Sequence, residues 1–159
     1  MKSLCMTALL IGTAFNVAPA DENAKQVARE KAFEKLMSGV NLVGSFTVDG
    51  KTDEAPKAER YEIESVKKIA GNLWTFTARV KYGKIDGKWP ITVPVEWAGD
   101  TPMVSLTNAT IPGLGSAFSA RVIFHDGRYA GTWQHGDVGG HMFGTIEKKK
   151  LAAEPETSN

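Results

Sequence analysis

From Trp74 to Tyr82 the chain alternates without a break. Trp74, Phe76, Ala78, Val80 and Tyr82 hold the even positions, and Thr75, Thr77, Arg79 and Lys81 the odd ones. A side-chain period of two places one set in a core and the other in water, the pattern of a half-buried antiparallel strand. A helix would scatter the same apolar set around its circumference. The period persists through eight segments, at 41–48, 59–67, 72–82, 89–97, 102–108, 117–125, 128–135 and 141–148. Short turns join them, among them Ala70-Gly71 and Asp126-Gly127. Asp-Gly is a strong signal for a two-residue hairpin with both residues at positive φ. The expected fold is all-β with one N-terminal helix: an eight-stranded antiparallel up-and-down meander barrel, with a β-sandwich as the alternative.

The helix is expected over 22–37, where Ala24, Val27, Ala28, Phe33, Leu36 and Met37 recur at three- and four-residue spacing. Asp21 or Asn23 suits its start, and Gly39 suits a left-handed stop. Its apolar stripe should lie on the sheet or across a barrel end. The division is then a cleaved signal peptide at 1–20, the helix at 21–39, the barrel at 40–149 and a disordered tail at 150–159. Lys2, a short apolar run and Ala18-Pro19-Ala20 carry the signal-peptide reading, which implies export to a periplasmic or extracellular location. No later run is long enough to span a membrane.

Charge and cysteine content remove several function classes. The sequence has 19 Lys and Arg against 18 Asp and Glu, and loss of Lys2 with the leader makes the two equal. No nucleic-acid partner is expected of such a balance. Cys5, the one cysteine, lies in the leader, so the mature chain has no thiol for catalysis, disulfides or metal. The motifs G-x-S-x-G, H-E-x-x-H and the phosphate-binding P-loop are absent. Glu62 and Glu64 alternate with apolar residues and read as solvated partners of cross-strand cations. The chain leans away from an enzyme, and no cofactor is expected.

His135 and His141 flank a glycine-rich bend and invite a metal-site reading. The Asp126-Gly127 hairpin sets Tyr129 opposite Phe124, Gly131 opposite Val122 and Trp133 opposite Ala120. For the next strand, pairing Trp133 with Met142, Gly131 with Gly144 and Tyr129 with Ile146 buries more apolar surface than pairing the two histidines, and sets Arg128 opposite Glu147. That register sends His135 inward and His141 outward, so no metal is expected. In the segment Trp89–Trp97, Pro90 and Pro94 cannot donate to a ladder, which places this strand at an edge or a seam.

The eight-strand meander is similar in architecture to lipocalin- and avidin-like barrels. Gly131-Thr132-Trp133 resembles the G-x-W element of the lipocalins, although here it stands near the C-terminus. The mature chain also resembles small exported bacterial proteins of unknown function, a likeness that implies no activity. Eight strands enclose a space that side chains fill or that holds one small ligand. Aromatic residues fall on the inward faces throughout. The expected function is therefore an exported, non-enzymatic β-barrel that binds a small apolar ligand, with Trp74, Trp97, Tyr129, Trp133 and His135 as the ligand-binding residues. The alternative is a structural or protein-interaction module of the cell envelope, its barrel filled and its partner another envelope protein.

Overall fold

Gly39, at φ 67°, separates two kinds of backbone. Before it the chain is the helix α1 (Pro19–Met37). After it come β1 (Val40–Phe46), β2 (Lys57–Ala70), β3 (Leu73–Tyr82), β4 (Ile85–Ala98), β5 (Thr101–Ile111), β6 (Gly115–His125), β7 (Arg128–His135) and β8 (Val138–Lys148). The computed structural model describes residues 19–82 and 85–149, without the side chains of 19–20 and 80–86. The expected tail, and the expected leader but for its last two residues, lie outside them.

The strands pair in chain order, and β1 then pairs with β8, from Val40 opposite Lys148 to Phe46 opposite Met142. The result is the expected closed antiparallel up-and-down barrel, and the closing pair excludes a sandwich. Odd strands begin and even strands end at the same rim. That rim carries α1; among the described residues the opposite rim, hereafter the open rim, has no helix across it.

The helix seals its end with one ring. Phe33, 2% exposed, sits among Trp74, Phe76, Trp97 and Phe124, with ring centroids 5.3 to 6.2 Å away. Met37 is fully buried beside it in the core cluster. The rest of the expected stripe is less engaged: Val27 is 43% and Leu36 39% exposed. A barrel end is narrow, so only one side of the last helical turns can enter it. Polar contacts fix the remainder. Arg29 donates to the Gly99 carbonyl at 2.9 Å and lies over the Trp97 ring, and Lys68 pairs with Glu30 at 2.5 Å. Lys148 donates to the Lys35 and Leu36 carbonyls, which the helix C-terminus leaves unpaired. Asp21 lies within the first turn rather than before it, paired with Lys25 at 3.1 Å.

Two details of register differ from the sequence reading. The β2–β3 turn is Gly71-Asn72, with Ala70 opposite Leu73, and irregularities between Ile63 and Ser65 and between Lys68 and Ala70 restore the expected Glu62–Arg79 pair. The β7–β8 hairpin turns tightly at Gly136-Asp137, so Trp133 faces Gly140, Gly131 faces Met142, Tyr129 faces Gly144 and Arg128 faces Thr145. The expected register is off by two residues. The shift preserves parity, so His135 and His141 still lie on opposite faces. The observed register sets Tyr129 against Gly144 and Trp133 against Gly140, where a Cβ would stand 2.8 Å and 3.1 Å from the two rings.

Pro90 and Pro94 do mark a seam. Val95 donates to the Asn72 carbonyl at 2.7 Å, toward β3. Successive N–H groups of a strand point to opposite sides, so the two prolines remove donors from the edge that faces β5. Among the described residues, β4 pairs with β5 only from Val95 to Ala98. On the other side of the seam, β5 is irregular between Leu106 and Ile111, with Asn108 at φ 44°.

Candidate functional site

Four neighbouring strands contribute one row of inward positions: Tyr129 on β7, Gly144 on β8, Gly44 on β1 and Glu59 on β2. With no side chain at either glycine, the tyrosine ring crosses both strands. Its hydroxyl donates to Glu59 Oε1 at 2.8 Å. Tyr61, two residues along β2 and also inward, donates to Glu59 Oε2 at 3.0 Å. A carboxylate thus stands inside the wall with each oxygen held by a phenol. Tyr129 is 2% exposed, whereas Glu59 and Tyr61 are half-buried and face the open half of the barrel.

Burial first, and then the neighbouring carboxylate, push both tyrosine hydroxyls well above their ordinary range. They therefore remain donors. The protonated phenol is the form the fold favours, so its contribution is complete below the ordinary tyrosine pKa of about 10 and is lost as pH rises through the folded-state values. In a spectrophotometric titration, two of the three tyrosines should resist ionisation until the barrel unfolds in alkali. Ordinary ionisation of all three in the folded protein would contradict the cluster.

Toward the open rim the inward face is aromatic. Phe46 meets Trp133 edge-to-face at 5.7 Å, and the Trp133 indole donates to the Thr47 carbonyl at 3.1 Å. Phe118 stacks on His135 at 4.2 Å and 13°. Trp89 lies in the first half of β4, where the β5–β6 turn approaches it at Gly113. Phe46, Trp89, Leu106, Phe118 and Trp133 are all half-buried, whereas of the four rings around Phe33 only Trp97 is.

The five residues singled out by sequence do not meet. Trp74, 1% exposed, and Trp97 pack against Phe33 at the helix end. Tyr129 lies mid-wall, while Trp133 and the exposed His135 lie at the open rim. Glu59 is not among the five. Its sequence signal is parity: it shares the inward side of β2 with Tyr61 and Ile63.

The outer face offers other polar groups. Thr107, Ser119, Arg121, Thr132, Gln134 and His141 line a concavity of about 540 Å3 across β5–β8. Arg121 is already occupied there, donating to the Leu106 carbonyl at 2.5 Å and Thr107 Oγ1 at 2.8 Å across the β5 irregularity. His141 Nδ1 lies 3.4 Å from Thr47 Oγ1. Glu64 pairs with Lys88 at 2.6 Å and Glu62 with Lys149 at 3.5 Å, as solvated carboxylates do. Among the described residues no three His, Cys, Asp or Glu side chains are grouped to hold a metal ion, and no helix is long and apolar enough to cross a membrane.

Fold and site define a closed eight-stranded meander barrel, plugged at one end and aromatic at the other, with a phenol-held carboxylate inside its wall. No protein-family model, curated protein or solved structure matches the chain.

Proposed function

We propose that this is an exported, non-enzymatic binding protein that takes a small, largely apolar ligand at the open end of its barrel. The observation that carries this reading is the contrast between the two ends. At the helix end Phe33 buries Trp74, Phe76 and Phe124 and leaves only Trp97 half-covered; at the other, Phe46, Trp89, Phe118 and Trp133 all remain partly in water. Apolar surface left half-covered gains by receiving an apolar body. A neutral solvatochromic dye, Nile red, should bind with a rise in emission and quench tryptophan fluorescence. Trp133→Ala should weaken its binding about tenfold, the effect of removing one central aromatic contact. Absence of uptake by the folded protein, or uptake indifferent to Trp133→Ala, would refute the reading.

The seam favours a second reading, a protein-interaction module of the cell envelope. The β4 edge that Pro90 and Pro94 strip of donors keeps its carbonyl groups, which a partner segment could use. A barrel that takes up no dye yet holds a stoichiometric protein partner would favour this alternative.

A further inference from the structure

We propose that the ligand head received at the open end is a protonated amine, paired with the Glu59 carboxylate, while its apolar body rests against Phe46 and Trp133. This rests on the reading that the open end binds a ligand.

The charge on Glu59 is the starting point. Its two oxygens accept hydrogen bonds from Tyr129 at 2.8 Å and Tyr61 at 3.0 Å, and both partners are neutral. Among the described residues no Lys, Arg or His forms an ion pair with it. Lys57, the next inward position toward the rim, pairs instead with Glu54 in the β1–β2 connection, at 3.9 Å. The inward wall therefore carries a negative charge that hydrogen bonds steady without cancelling. Each carboxylate oxygen has two lone-pair sites, so one bond apiece leaves acceptor capacity for a third donor.

The surroundings select the kind of donor. Glu59 is half-buried, open to solvent from the rim yet flanked by apolar wall, where attraction between opposite charges exceeds that in bulk water. A carboxylate or phosphate head would meet repulsion there, and an alcohol would add a hydrogen bond without charge. An ammonium group supplies both. The phenols play a positioning part: they aim the carboxylate and, staying protonated, add no charge of their own.

Calorimetric titration with octylamine, octanol and octanoate, each below its micelle concentration, tests this at constant apolar body. The amine should bind about tenfold or more tighter than the alcohol, the worth of one charge-assisted hydrogen bond, with the octanoate weakest. Glu59→Gln should erase the preference for the amine over octanol. Equal binding of amine and alcohol to the native protein overturns the amine assignment alone, whether or not the variant folds. So does a preference that survives in folded Glu59→Gln. Failure of all three probes to bind overturns the open-end reading itself, and the amine assignment with it.

Discussion

Gly144→Ala should cost the barrel about 3 kcal/mol or more, at the upper end of what overpacking a core produces. A Cβ at this position would stand 2.2 Å from the Val43 carbonyl oxygen, 2.6 Å from the Gly44 Cα and 2.8 Å from the Tyr129 ring. The first two obstacles are backbone and cannot rotate away. The wall would have to part between β8 and β1, the pair that closes the cylinder. Gly44→Ala meets the same barrier from the other strand, 2.1 Å from the Phe143 carbonyl oxygen and 2.5 Å from the Tyr129 hydroxyl. Urea unfolding gives the check: a large fall in midpoint for each variant, against little change for Gly50→Ala, where an added Cβ meets nothing, beyond the strain of φ 77°. A native midpoint in Gly144→Ala would mean that β1 and β8 do not approach this closely. Tyr129→Phe should leave the backbone clash in place, so combining it with Gly144→Ala should not restore the midpoint.

Removing the plug is the second large effect. Phe33→Ala should lower stability by about 3–5 kcal/mol, the usual range for emptying a buried aromatic site. Four aromatic rings lose their common neighbour, and the barrel end has no other large side chain from the helix to replace it except Met37. Water reaching Trp74 and Trp97 should shift tryptophan emission to the red. Val27→Ala, on the same helix but 43% exposed, should change stability by no more than about 0.5 kcal/mol. If Phe33→Ala and Val27→Ala behave alike, the helix does not seal the barrel as described.

The eight strands were legible because alternation, turn residues and strand length agree along the whole β region. The Asp126-Gly127 hairpin shows how far local signals reach. Asp126 and Gly127 adopt φ 47° and 69°, and the pairs Tyr129–Phe124, Gly131–Val122 and Trp133–Ala120 follow directly. The next hairpin resisted the same treatment. Its turn lies in a run of small residues where several registers are sterically open, and the choice depends on room for the Tyr129 ring. That room is created by Gly44, which is distant in sequence until the barrel closes. Glu59 was obscured for the same reason. Its inward parity is readable, but an inward carboxylate looks unfavourable until Tyr129, seventy residues away, is brought against it.

The tryptophans are a different case. All of them were readable as inward-facing, and strand direction also tells which end each one occupies. Trp74 begins β3 and Trp97 finishes β4, so they share the rim at the helix. Trp133 lies near the end of β7 and belongs to the other rim. Facing the same interior does not make residues neighbours along the axis of a cylinder.

The pairing of β1 with β8 also governs how the molecule must be built. Each hairpin from β2 to β8 can form from adjacent chain, but the outer edge of β1 finds its partner only in the last strand, about a hundred residues on. Contacts of such sequence separation slow folding, because the loop must close before the contact repays it. Until then β1 and β8 present unpaired edges of the kind that join neighbouring chains. The Tyr129–Glu59 bond spans that same junction and forms only once it has closed.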